Sequence, residues 1–163
     1  MKRQKKKYEK PLKPWDRERR DEEKKLLETY GLRRKREIWR VESILRKYRR
    51  LARNLAAKQD KDKEKILLDK LFKMGIIKKD ANLDDILALN IEKFLDRRLQ
   101  TIVFKKGLTS TIRQARQLIV HGHISLDGRR VRWPSMILNL GEEDKISFYE
   151  KSKIKQGVKV EAS

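Results

Sequence analysis

At 163 residues, with 45 Lys and Arg against 24 Asp and Glu, the chain carries a formal charge of +21; 42% of it is charged and only 37% is hydrophobic. That length can bury one core, or a small core plus an extension, but so much like charge repels itself and calls for a polyanion. With no cysteine, disulfides and thiolate zinc sites are excluded; no stretch nears the ~18 apolar residues of a membrane span, and early acids such as Glu9 and Asp16 speak against a transit peptide, so a soluble, cytoplasmic protein is expected.

The charge is not spread evenly. Residues 1–59 hold 23 basic and 9 acidic side chains, residues 60–92 hold 7 and 8, and residues 93–163 hold 15 and 7. Two cationic blocks flank a near-neutral spacer, which suggests two contact surfaces.

Residues 1–20 form the first segment, an extended basic arm. Five of the six residues from Lys2 to Lys7 are Lys or Arg, and Pro11 and Pro14 favour an extended path. Such an arm is expected to be disordered alone and ordered on RNA, with Tyr8 and Trp15 able to stack or pack. A short helix is predicted over 21–30, with Asp21, Glu22 and Glu23 at its positive end and Gly31 as its stop.

From Arg33 to Ala57 apolar residues recur at spacings of three and four: Ile38, Val41, Leu45, Tyr48, Ala52 and Leu55. That is a helix stripe. The rest of this helix is cationic, with Arg33, Arg34, Arg36, Arg40, Arg46, Arg49, Arg50 and Arg53, and Glu37 and Glu42 as its only acids. A coiled coil would want charges of both signs, so a helix packed in a small bundle, basic face outward, fits better. Residues 58–65 read as a mixed-charge linker or a helix start. A helix over 66–74 is expected to turn Ile66, Leu67, Lys70, Leu71 and Met74 to one side, and Asn82 can cap the next.

The stretch from Asn90 to Phe148 organises the chain. One helix is predicted from Asn90 to about Phe104, with Arg97, Arg98, Thr101 and Lys105 off its apolar face and Lys106-Gly107 at its end. Thr111 and Gln114 form a T-x-x-Q capping box for a second helix. There Ile112, Ala115, Leu118 and Ile119 bury, while Arg113, Arg116 and Gln117 share the opposite face. Gly122 ends it, and Asp127-Gly128 is a strong hairpin signal. The hairpin should pair Ser125 with Arg130 on an exposed face and Ile124 with Val131 on the core face, with Ile146 and Phe148 in a last strand. Residues 150–163 read as a flexible tail.

Residues 105–132 contain seven Lys or Arg and one acid, Asp127. Lys105, Lys106, Arg113, Arg116, Arg129, Arg130 and Arg132 are therefore candidates for phosphate contact, with the Thr109, Ser110 and Thr111 hydroxyls as added donors at a helix start. Catalysis finds no such set. His121 and His123 alone make no metal site, no nucleophile has a base and an orienting partner, and Lys106-Gly107 lacks the order of a phosphate loop. No cofactor, metal, membrane or small-molecule substrate is expected.

The run EKFLDRRLQTIVFKKGLTSTIRQARQLIVHGHISLDGRRVRWPS resembles the RNA-binding module of the family of small-subunit ribosomal protein four, in its archaeal and eukaryotic form. KRQKKKYEKPLKPW, ETYGLRRKREIWR and DDILALNIEKFLDRRLQ resemble the amino-terminal portion of the same family, so nearly the whole chain is matched. The resemblance implies an α+β fold, mostly α. A helical basic amino-terminal part over 21–89 would precede a compact RNA-binding module over 90–149, two helices packed on a small twisted antiparallel sheet. It also implies a primary binder of small-subunit rRNA at a multi-helix junction of the 5′ domain. Such a protein would help nucleate assembly, border neighbouring small-subunit ribosomal proteins, and support decoding accuracy where messenger RNA enters the subunit.

The family's RNA-contacting face carries over onto Arg97, Arg98, Arg113, Gln114, Arg116, Gln117, His121 and His123. To these the charge pattern adds Lys2, Arg3, Lys5, Lys6 and Lys7 of the arm and the arginines of the long helix. The zinc site that some bacterial relatives build from cysteines is absent from this sequence. An assembly factor with the same module, or an RNA-modifying enzyme, is the rival reading; the latter would need a further catalytic domain.

Overall fold

A computed structural model describes residues 5–152, so Lys2 and Arg3, and the tail beyond Ser152, lie outside the described residues. In chain order the elements are α1 (Arg17–Thr29), α2 (Lys35–Lys58), α3 (Lys61–Lys73), α4 (Leu83–Leu87), α5 (Ile91–Asp96), α6 (Leu99–Lys105), α7 (Ile112–His121), β1 (Ile124–Leu126), β2 (Arg129–Arg130) and β3 (Ile146–Phe148). The fold is α+β and mostly helical, as expected.

The long helix α2 is the hub of the amino-terminal half and touches α1, α3, α4 and α5. Its predicted stripe faces inward: Ile38, Val41, Leu45 and Ala52 are buried, and Tyr48 stacks on Phe94 at 5.9 Å between ring centroids. With Leu67, Leu71, Ile86 and Leu95 they make one apolar cluster. A second cluster joins Leu99, Ile102 and Val103 of α6 to Ala115, Leu118 and Ile119 of α7, then to Ile124, Val131, Leu138 and Ile146. The sheet has the order β2-β1-β3, antiparallel throughout. Asp127 and Gly128 both take positive φ, 53° and 75°, as the two-residue hairpin turn demands.

Some expectations need correction. α1 starts at Arg17, four residues before the acids read as its first turn, and Arg19 donates back to the carbonyls of Lys13 and Pro14. Of the two readings of 58–65, the helix start holds from Lys61 on, since α3 begins right after Asp60. α3 is also rotated from the expected orientation: Leu67 and Leu71 bury, but Ile66 is 67% exposed. Ser125 is buried as well, because β1 is the middle strand and its Oγ bonds the Ser147 carbonyl on β3 at 3.1 Å.

The predicted 90–104 helix is two helices, broken at Arg97-Arg98. There the segment 134–138 runs alongside: Leu99 N–H donates to Met136 O at 2.8 Å, Gln100 N–H to Pro134 O at 3.4 Å, and Leu138 N–H to Arg97 O at 3.0 Å. Those amides are turned outward to a neighbour nearly forty residues away in sequence. Local periodicity could not reveal it.

Gly31 closes α1 at φ +55°, and a Cβ there would stand 2.7 Å from Ile112 Cγ2 and 3.0 Å from Gln100 Nε2. The turn after α1 is therefore pressed directly onto α7. Gly31→Ala is expected to lower stability by more than the ~1–3 kcal/mol of backbone strain alone. Gly107→Ala, at a similar φ with open space around it, should cost only the strain. Urea unfolding of both variants checks the difference; equal losses would mean that the α1–α7 contact does not matter.

Candidate nucleic-acid interface

The interface grows from the way α2 meets the module. Glu37, in the first turn of α2, is only 15% exposed in its side chain. Arg98 Nη2 donates to its Oε2 at 2.7 Å, and Arg116 of α7 donates through both terminal nitrogens, each at 3.1 Å. Burial pushes the Glu37 carboxyl up, but hydrogen bonds from Arg116 and Arg98, with their charges, outweigh it and hold the group below the usual carboxylate range. Arg98 is 4% exposed, and burial draws its pKa down while Glu37 holds it up. Gln100 braces the same joint, its buried amide donating to the carbonyls of Tyr30, Gly31 and Ile112.

Above this joint lies a cleft lined by Arg33, Arg34, Arg36 and Arg40 from the start of α2, by Arg116 and Val120 of α7, and by Pro134 and Ser135, with Glu37 also in its wall. Cations from both basic blocks thus meet in one groove. A second groove continues along α2, lined by Ser43, Arg46, Lys47, Arg50 and Arg53, with Glu9 of the arm paired to Arg46 at 3.1 Å. Arg36, Arg40, Ser43, Lys47 and Arg50 recur every three or four residues and so share one helix face. From Arg36 to Arg50 the stripe rises about 21 Å along the helix axis, long enough to follow several phosphates of a nucleic-acid backbone.

The predicted residues divide into two populations. Lys5, Lys6, Lys7, Arg33, Arg34, Arg36, Arg40, Arg46, Arg50, Arg53, Arg113, Gln117, His121, Arg129, Arg130 and Arg132 are exposed, and Arg130 lies 4.4 Å over the Tyr149 ring. Lys105 and Lys106 are exposed too, though Lys105 pairs with Asp96 at 2.9 Å. Others are committed inside the protein. Arg98 is buried against Glu37, Arg97 pairs with Glu143 and donates to Leu138 O, and Arg49 donates to Leu89 O. Thr109 is 1% exposed, so its hydroxyl is no surface donor.

Arg116 straddles both populations, half-buried on Glu37 yet lining the cleft. The capping box is half made. Thr111 accepts from Gln114 N–H, but the Gln114 side chain accepts from Ser110 N–H and Oγ instead of from Thr111. His123 Nδ1 lies 2.9 Å from Ser152 Oγ. Among the described residues no group of three His, Cys, Asp or Glu is placed to hold a metal ion, and no helix is long and apolar enough to cross a membrane.

Glu37 and Gln100 act as positioning residues that charge counting passed over. An isolated acid inside a cationic helix was the available signal for Glu37. Trp133, 68% exposed beside the hairpin arginines, was passed over as well.

The sequence matches two family descriptions: "Ribosomal protein S4/S9 N-terminal domain" over residues 1–96 and "S4 domain" over residues 97–144. It is 54% identical to small ribosomal subunit protein uS4 of Sulfurisphaera tokodaii, over 95% of this chain and 90% of that one. Against the protein of the same name from Korarchaeum cryptofilum identity is 50%, over 90% and 89% of the two chains. Against that from Saccharolobus solfataricus it is 52%, over 94% and 87%.

Glu37→Gln is expected to destabilise the chain by about 3–5 kcal/mol at neutral pH, because Arg98 is left buried without a counter-charge. A carboxyl held below its ordinary value stabilises fully above that value and loses its contribution as pH falls through the depressed one. The wild-type advantage over E37Q should therefore be full above the ordinary carboxylate range and shrink progressively as pH falls below it. Denaturant titrations of both proteins across this range give the difference directly, and contributions from Glu23 and Glu42 cancel in it. A gap that does not change with pH would contradict the clamp.

Proposed function

The chain belongs to the ribosomal protein S4 family, and on that premise we propose that it is a structural constituent of the small ribosomal subunit that works by holding small-subunit rRNA. The observation that carries this reading is the meeting of arginines from α2 and α7 in one cleft. A side-chain set that brings cations from distant parts of the chain to one groove suits a folded polyanion, because each phosphate neutralised releases counterions and relieves protein self-repulsion. The finer reading follows the family. The target is a multi-helix junction of the 5′ domain, bound early so that assembly nucleates there, with neighbouring ribosomal proteins alongside. The protein then supports decoding accuracy where messenger RNA enters.

The joint under the cleft gives this a mechanism. The two halves are fixed before RNA arrives, so binding need not order them. RNA helices that meet both halves are then held at one relative angle. Phosphate contacts of this kind give strength and register rather than base identity.

Filter binding of a 5′-domain rRNA transcript tests the reading. If about 6–10 phosphates are neutralised, affinity should fall about 10³–10⁵-fold between about 50 and about 200 mM salt. Arg36→Ala, Arg40→Ala and Arg113→Ala should each lower the salt slope by about one with little change in melting temperature. Salt-independent binding would count against it. Sedimentation of cell extracts separates the rival: a constituent stays stoichiometric with mature small subunits in high salt, whereas an assembly factor is lost.

A further inference from the structure

An indole is the largest apolar surface a side chain can carry, and folding ordinarily covers it. Trp133 is nonetheless 68% exposed. The loop beneath it is braced rather than frayed. Val131 N–H donates to Ile124 O at 3.1 Å and Met136 N–H to Trp133 O at 3.2 Å, while Pro134 O and Met136 O accept from Gln100 and Leu99 at the start of α6. The indole is thus held outward on fixed backbone, which keeps the ordering cost of using it small.

Its neighbours along the chain are cationic or border cations. Arg132 precedes it, and the Arg130 and Arg132 side chains lie over the end of α7, where a Cβ on Gly122 would stand 2.8 Å from Arg130 Cδ and 3.2 Å from Arg132 Nε. The next two residues, Pro134 and Ser135, line the arginine cleft. An exposed aromatic next in the chain to an arginine, and one residue from the wall of an arginine cleft, is the pairing a nucleotide offers partners for, since its base stacks and its phosphate takes the charge.

We propose that Trp133 stacks on an unpaired base of the RNA gripped by the cleft. The inference rests on the RNA-binding reading above, and adds a base-contacting residue to a surface otherwise made for phosphates.

The full chain is titrated with the 5′-domain transcript at constant salt, as wild type and as Trp133→Ala, Trp133→Leu and Trp133→Phe. Stacking predicts that the Ala and Leu variants bind about 5- to 150-fold more weakly, that Phe keeps most of the affinity, and that the salt slope is unchanged in all three. Free-protein melting temperatures should stay equal, since the side chain is exposed. The transcript should also quench a component of wild-type fluorescence that Trp133→Phe lacks. Wild-type affinity in the Ala and Leu variants would overturn stacking while leaving the RNA-binding reading intact. Wild-type affinity in Leu alone would replace it with a plain apolar contact. Failure of the wild type itself to bind the transcript would sink both readings.

Discussion

The joint between the two halves of this protein is built around one carboxylate. Glu37 sits in a helix whose exposed side chains are mostly cationic, and it receives Arg98, the residue that opens α6, and Arg116 from α7. Without it those two guanidinium groups would face each other and the arginines of α2 with nothing between, and the nearby Arg116 already works against the charge on Arg98. A buried arginine left unpaired is costly. The same carboxylate that binds the halves is therefore what permits so many arginines to lie close together around the cleft.

Charge alone would make a loose joint, and the neutral contacts beside it make it specific. The Gln100 amide has two protons and lies within 3.3 Å of three carbonyls, those of Tyr30, Gly31 and Ile112. Tyr30 and Gly31 end α1, while Ile112 opens α7, so a single side chain reads the distance between the two cores. Gly31 enforces the same distance sterically, as it leaves no room for a Cβ. Buried polar groups of this kind tolerate little displacement, because a lost partner means a desolvated, unsatisfied amide.

Much of this was legible in the sequence, and the boundary of legibility is physical. The stripe from Ile38 to Leu55, the Asp127-Gly128 turn and the Gly31 and Gly122 stops are local codes, and α2, the hairpin and the helix ends follow them. The family resemblance extended that to the fold and to a cationic face. What stayed hidden depends on residues far apart in the chain. The break at Arg97-Arg98 exists because the 134–138 segment takes the amides of Leu99 and Gln100. Arg98 looked like one more surface cation because nothing within a few residues reveals that Glu37 lies opposite. Ser125 looked exposed by alternation, and only its place on the middle strand covers it.

With 24 acids against 45 bases, where the acids go decides what the bases can do. The structure places several where elements meet: Glu23 against Arg19 and Lys35, Glu37 against Arg98 and Arg116, Glu143 against Arg97, and Asp96 against Lys105. Arg33, Arg34, Arg36, Arg40, Arg113, Arg129 and Arg132, by contrast, make no ion pair among the described residues. Mobile ions screen exposed charges over about 8–10 Å at ordinary salt but reach a buried pair poorly. Added salt therefore weakens the cations left for a partner while sparing the covered ones, Arg98 above all, that hold the protein together. A chain of this charge can in this way keep its shape under the same conditions that loosen its grip on a polyanion, because the two sets of arginines, alike in chemistry, differ in what covers them.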